Sequence, residues 1–458
     1  MSNKITTGGS TLPASSQTPT VRTFQIDPGG IGGIAQSVNL FRGDVSVPLT
    51  LASISGRGGL EASASLVALT PDPDEVDTWN LDAPTGHLGI GWRMGFDFIG
   101  LDHRGTAAAT DDSFYLVADG GTNRLFRTRT TAEFHEFELE QFQYWRIRYY
   151  PAREEWEVTK EDGIRHLFGG RSDDESSSPV QYGVRWGGAS GNWIGSSIES
   201  SGQTLYPMAW NLSRIVNPWG DAIELEYENE LVQVGTGAGL RFARASRVSK
   251  VVVPEGQTLT YLYGDKLRTD EAREYQLPHV DAGTPTLQAF QDRLETKFLS
   301  ALELRNADDA PSGAGELLMR VDFEYELVNV SRDHPGDPNF VKRYLRRISP
   351  KTGDGLALPT YDFEYFNDPA ARSADVHRGA LKRITYPQGG HATYGYGRTE
   401  LGGTSRTLDL AVQGIPRVFF GSDYVVLVEV DGLRQGVGVR VFSWNGLWVE
   451  APQRYTLP

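Results

Sequence analysis

The chain has 458 residues with 44 basic and 59 acidic side chains, a formal charge of −15. That balance excludes a general electrostatic grip on nucleic acid or on an anionic membrane. With no cysteine, disulfide scaffolds, thiolate metal sites and cysteine nucleophiles are excluded as well. Abundant glycine (52) and 11% aromatic residues favour strands and turns over helices.

Residues 1–20 read as a disordered polar tail, rich in Ser, Thr, Gly and Pro. They lack the apolar core of a Sec-type signal, and no apolar run reaches membrane-spanning length. The expectation is synthesis in the cytoplasm, export without a Sec signal, and no membrane insertion. Residues 21–204 read as an N-terminal β domain. Val45, Val47 and Leu49 alternate with polar neighbours, as do Leu60, Ala62, Ala64 and Leu66. The loop Pro71–Asp77 carries Asp72, Asp74 and Asp77. It lacks the Gly and Glu that a calcium loop of EF type requires, so it reads as a solvated acidic loop. In Gly86–Asp102 the glycines at 86, 89, 91 and 95 surround Trp92. No helix pattern follows them, so they are predicted to be tight bends beside a buried Trp.

Successive hairpins are predicted over 112–168, with turns at Asp119–Gly121 and Asp162–Gly163. Residues 170–204 have no clear period and read as a long surface excursion anchored by Trp186 and Trp193.

Residues 205–400 carry an internal repeat. Ile215–Tyr227, Val251–Tyr263 and Ile384–Tyr396 align without gaps, with Pro fourth, Gly sixth and Tyr thirteenth. An apolar residue stands three positions before each: Leu212, Val248 and Leu381. Pro sets the first corner of a type I turn, and Gly accepts the left-handed conformation that follows. The step of three before the turn breaks strand alternation and predicts a bulge. Two looser copies run from Leu299 and Leu302 to Tyr325, and from Leu345 and Ile348 through Pro350 and Gly353 to Tyr365. Leu287, Phe290 and Leu294 have the spacing of a short helix between copies. Hairpins built to one template imply lateral stacking, because one hairpin alone is marginal. The predicted fold class is all-β: antiparallel hairpin repeats forming a curved sheet or shell segment. Residues 401–458 read as an incomplete, propeller-like β module, with turns at Asp431–Gly432 and Asn445–Gly446.

Phe41–Leu51, Gly59–Leu66, Gly86–Trp92 and Asp111–Phe126 resemble the SpvB-type N-terminal domain. That domain opens the B components of insecticidal toxin complexes and related virulence proteins. Gly379–Tyr396 resembles the Rhs, or YD-repeat, hairpin. The resemblance implies a secreted, non-catalytic β-shell scaffold that helps encapsulate or deliver a toxic polypeptide. It implies as partners a repeat-shell subunit with a toxic C-terminus and a pore-forming component. A complete shell of this kind needs more repeats than this chain carries, and neither the self-cleaving aspartate region nor a toxin tail has a counterpart here. A second reading gives the aromatic strand faces to a glycan or protein receptor, making the chain a secreted binding module.

Enzyme motifs find little support. The histidines 87, 103, 135, 166, 279, 334, 377 and 391 are too far apart in sequence for a local ligand pair. No Gly-x-Ser-x-Gly elbow or P-loop occurs. Some SpvB proteins carry an ADP-ribosyltransferase with a Glu-x-Glu pair, and Glu224 and Glu226 have that spacing. On an alternating strand both carboxylates turn to solvent, and no Ser-Thr-Ser strand accompanies them. Glu138 and Glu140 meet the same objection. The reading is therefore of a chain with no catalytic, cofactor or metal residues.

Overall fold

In a computed structural model of the chain, the described residues are 22–23, 46–71, 73–77, 85–102, 113–118, 121–185, 204–233, 241–267, 296–307, 315–371, 377–396 and five strand segments after 405. The polar tail, Trp186, Trp193 and the helix expected at Leu287–Leu294 lie outside them.

A first sheet has the order β1 (Arg22–Thr23), β2 (Ser46–Ser55), β3 (Glu61–Leu69), β4 (Trp92–Met94). The alternation read from Val47 and from Ala64 buries those side chains as expected, with Val47, Leu49, Ala64 and Leu66 all inside.

The second region is a closed barrel. Its strands are β5 (Phe98–Asp102), β6 (Ser113–Ala118), β7 (Gly121–Thr130), β8 (His135–Leu139), β9 (Arg146–Tyr150), β10 (Glu155–Thr159) and β11 (Arg165–Gly169). Next come β12 (Val180–Arg185) and the long β13 (Thr204–Val216). Each of β5 to β11 pairs with its neighbour, and both β11 and β5 pair with β13, which closes an eight-strand circuit. The inward residues of the alternating strands fill it. Trp156 and Trp210 meet edge-to-face at 5.7 Å, and Phe137 lies 4.7 Å from Trp156. Closure removes the sheet edges that a row of hairpins would otherwise expose.

The excursion expected over 170–204 is corrected in part. Within it, β12 pairs with β13 over Val180–Arg185, and Val180 is fully buried. The Asn229 side chain holds the approach by donating to the carbonyls of Glu175 and Ser178 at 2.8 Å each. Buried backbone needs partners, and here a distant side chain supplies them.

From β13 the hairpin row begins. Its strands are β14 (Ala222–Gln233), β15 (Arg241–Val252), β16 (Thr258–Asp265), β17 (Lys297–Arg305), β18 (Leu317–Val328), β19 (Lys342–Thr352), β20 (Tyr361–Tyr365), β21 (Leu381–Thr385) and β22 (His391–Thr393). Each is antiparallel to the one before. The strand β13 thus belongs to barrel and row alike. After 405, β23 (Arg406–Leu410) pairs with β27 (Gln453–Leu457), while β24 (Tyr424–Val426), β25 (Val441–Trp444) and β26 (Trp448–Val449) form a small sheet. Trp444 pairs in register with Trp448. The described structure is all-β, its only helices being short 3-10 turns, and none is long and apolar enough to cross a membrane.

Candidate functional site

The row is held by a turn and a lock, each repeated. At the turn, the Asn217, Val253 and Tyr386 N–H groups donate to the carbonyls of Asp221, Gln257 and Gly390. Gly220, Gly256 and Gly389 sit at φ of 97°, 86° and 82° and donate back to the same three residues. This is the three-residue bulged turn expected from Pro-x-Gly, and only glycine adopts that φ without strain. The looser copy corrects one detail. Its left-handed glycine is Gly355, which donates to Thr352, and not Gly353.

The lock explains the step of three. The partner of β14 jumps from Lys250 at Glu226 to Val248 at Tyr227, so Ser249 bulges outward. The same shift recurs at Tyr263 opposite Leu299, Tyr325 opposite Leu345 and Tyr365 opposite Leu381. Each of these tyrosines donates its O–H backward to the bulge carbonyl of the previous copy. Tyr227 reaches Leu212 at 2.6 Å, Tyr263 reaches Val248 at 2.8 Å and Tyr325 reaches Leu299 at 2.6 Å. Tyr365 reaches Leu345 at 2.6 Å, and Tyr396 reaches Leu381 at 2.9 Å. A bulge frees a carbonyl from the ladder, and the tyrosine satisfies it. Burial pushes the Tyr227 and Tyr365 phenols upward, so they stay protonated donors at any ordinary pH.

The aromatic face of the row is not open. One continuous core joins Tyr227, Tyr261, Phe323, Tyr361, Phe363 and Tyr365 to residues of β2, β3 and β4. Burying such a face is the main source of stability for both layers. The first sheet is fastened at three places. At the turns, the backbone N–H and the guanidinium of Arg57 both donate to Glu255, at 2.9 and 3.1 Å. In the middle, Ile90 N–H donates to the Arg343 carbonyl and Leu299 N–H to the His87 carbonyl, 2.9 Å each. There Trp92 Nε1 donates to Tyr365 Oη at 2.7 Å. Gly89 makes this approach possible, because a Cβ there would stand 2.5 Å from the Arg343 carbonyl oxygen. Of the four glycines around the buried Trp92, Gly89 and Gly91 are positive-φ bends at a close approach; Gly86 is a bend with open space beside it, and Gly95 is neither.

At the third place Asp77 sits almost buried against Arg378, whose guanidinium donates to both carboxylate oxygens at 2.9 and 2.5 Å. Ser331 Oγ and the Arg332 N–H donate to the same carboxylate at 2.8 and 2.7 Å. Burial alone would raise this carboxyl, but these donors outweigh it and hold it well below the usual carboxylate range. The loop read as solvated and acidic thus supplies a buried anchor. No local signal pairs Asp77 with a residue 301 positions away. A cleft of about 360 Å³ lies beside the seam, lined by Thr70, Glu75, Thr85 and Arg93 among others.

The opposite face of the row is a ladder of charge pairs, most of them across strands. Arg320 joins Glu303 and Asp322, Lys351 joins Asp322 at 2.8 Å, and Lys250 lies 3.5 Å from Glu226. Glu224 and Glu226 are exposed on it, and Glu138 and Glu140 are exposed on the barrel, as alternation required. Several described histidines rest on rings: His334 on Phe340 at 4.0 Å, His377 beside Tyr396 at 5.3 Å, and His87 beside Tyr263 at 5.4 Å. Among the described residues no three His, Asp or Glu groups converge as metal ligands. Among the described residues, the strongly exposed large rings are Phe142, Tyr144 and Trp219, at turns, with Phe142 and Tyr144 packed edge-to-face at 5.1 Å.

No known family model matches the chain. Salivary gland surface protein 1 of Aedes aegypti is 23% identical over 363 residues, covering 75% of this chain and 10% of that protein. The chain therefore spans about a tenth of the length of the curated relative it matches. Among solved structures it is similar to the N-terminal domain of effector protein SpvB from Salmonella typhimurium. The identity is 14% and the TM-score 0.41, over 65% of this chain and 96% of that one. It is also similar to TcdB2-TccC3, at 12% identity and TM-score 0.40, over 89% of this chain and 19% of that one. The Photorhabdus luminescens Tc holotoxin pore gives 12% and 0.40, over 88% and 18%.

Proposed function

We propose that the chain is a non-catalytic β scaffold of the SpvB and Rhs toxin type. Its task is mechanical: with a repeat-shell partner it walls off a polypeptide, and it acts outside the cell with a pore-forming component. The observation that carries this reading is the tyrosine lock, which makes five successive hairpins one continuous wall. The wall is two layers thick, because the first sheet covers the aromatic face. A contained polypeptide would meet charged or sealed surface rather than an adhesive aromatic one.

The test mixes the full chain with a hairpin-repeat subunit carrying a C-terminal cargo, then adds protease. Cargo that outlasts free cargo supports the reading. Cargo digested at the free rate, or the absence of any complex, overturns it. The receptor-binding alternative loses its aromatic strand faces, which are buried. It is left, among the described residues, with the Phe142–Tyr144 hairpin tip and with Trp219 at its turn.

A further inference from the structure

The pairing registers bring alternate turns of barrel and row to one end of the molecule. Arg146 lies opposite Thr159, Thr159 opposite Arg165 and Arg165 opposite Val216, so the turns after β8, β10 and β13 share that end. Along the row the same end continues through Ala222, Val252, Thr258, Arg305 and Leu317 to the turn after β19. Of the six large apolar side chains exposed among the described residues, four stand at these turns. They are Phe142 (67%), Tyr144 (79%), Trp219 (77%) and Leu356 (65%). The other two, at 44%, lie elsewhere: Phe126 on a strand and Leu267 beyond β16 at the opposite end. Neighbouring turns of this rim touch. Lys160 lies 4.9 Å over the Trp145 ring, a Cβ on Gly163 would stand 3.3 Å from Pro218, and one on Gly58 would stand 2.9 Å from the Trp219 ring. The exposed charges at these tips, Glu140, Glu161, Asp162 and Asp354, are all acidic.

Large apolar side chains gathered at one end and left in water mark a surface that meets something else. Their arrangement selects the partner. From β9 to β13 is three strand spacings, about 14 Å, and from β14 to β19 is five, about 24 Å. Sites so far apart do not belong to one pocket, and a folded protein would need a central, continuous patch to anchor on. A fluid interface makes no such demand, because each knob enters it alone. Tyr and Trp rings, apolar with one polar atom, suit headgroup depth. Charge narrows the choice further. Acidic tips on a chain of net charge −15 are repelled by anionic lipid, whereas the outermost cation of phosphocholine complements both the carboxylates and the ring faces. We propose that this rim of turns is a peripheral membrane-binding surface, entered by Phe142, Tyr144, Trp219 and Leu356, and that its occupant is the headgroup layer of a zwitterionic phosphocholine bilayer. This is adsorption at an interface, not the spanning of a membrane, and it stands independently of the scaffold reading.

The test floats the full chain with vesicles of pure phosphatidylcholine in a density gradient. Flotation is expected, with partitioning weakened about ten-fold when Phe142→Ser, Tyr144→Ser and Trp219→Ser are combined. Phe126→Ser, which removes an exposed ring from a strand instead, should leave it unchanged. The wild-type chain gives a second readout: brominated phosphatidylcholine should quench part of its tryptophan fluorescence, and Trp219→Phe alone should remove that part. No flotation, equal flotation of the triple variant, or binding that requires anionic lipid overturns the inference. Self-association or glycan binding through the rim without flotation overturns it too, and gives the rim to a second copy or to a receptor. Flotation without cargo protection keeps the rim and removes the containment reading; protection without flotation does the reverse.

Discussion

The barrel and the hairpin row use the same material, antiparallel hairpins with bulged turns, and reach stability by different routes. The barrel closes on itself and fills its interior with its own rings, Phe114, Phe137, Tyr149, Trp156 and Trp210. Among the described residues, no pair joins the first and last strands of the row. Its apolar face depends on a separate sheet for cover, and its bulges are stabilised one by one by tyrosine hydroxyls. The difference teaches that closure concentrates stability in a few large side chains, whereas a row distributes it over repeated polar locks.

The sharpest way to break the comparison is to hollow the barrel. Trp156→Ala should cost about 4 kcal/mol and unfold the barrel first, seen as loss of tryptophan fluorescence shift in denaturant before the row melts. A single simultaneous transition would show that barrel and row are one cooperative unit through β13. The next effect is at the Asp77 anchor. Asp77→Asn should cost about 3 kcal/mol, because Arg378 is left buried and uncompensated. The carboxyl lies below its unfolded value, so its stabilisation is complete above the ordinary carboxylate range and is lost only as pH falls beneath it. The wild type should therefore lose stability on acidification more steeply than the variant, measured by urea midpoints across that interval.

Tyr365→Phe should cost about 2 kcal/mol, since both the Leu345 carbonyl and Trp92 Nε1 lose a partner. Tyr396→Phe, at the half-buried end of the row, should cost roughly half that. Equal losses would mean that the locks do not depend on cover by the first sheet. The smallest effect is at a turn: Gly389→Ala forces a left-handed residue and should cost about 1 kcal/mol, read as a small drop in melting temperature.

Much of the row was legible because its information is local. Pro-x-Gly fixed the turns at 218–220, 254–256 and 387–389, and the step of three from Leu212, Val248 and Leu381 announced the bulges. The repeated spacing also contained the lock, with Leu212 and Tyr227, Val248 and Tyr263, and Leu381 and Tyr396 each 15 residues apart. That the hydroxyl reaches back to the bulge carbonyl was not visible, because sequence marks both residues without saying that they touch. Gly355 was missed in favour of Gly353 because two glycines flank one aspartate, and only the backbone angles separate them.

The amino-acid order by itself determined the strand class, the turn positions, the bulges and the burial of Trp92, all consequences of steric limits that act over a few residues. Tertiary structure alone decided that the hairpins after Phe98 close into a barrel and that the aromatic face is sealed by β2 to β4. It also decided that Asp77 meets Arg378. These depend on which distant surfaces come together, and the free energy of that choice is spread over the whole core rather than written at any one position.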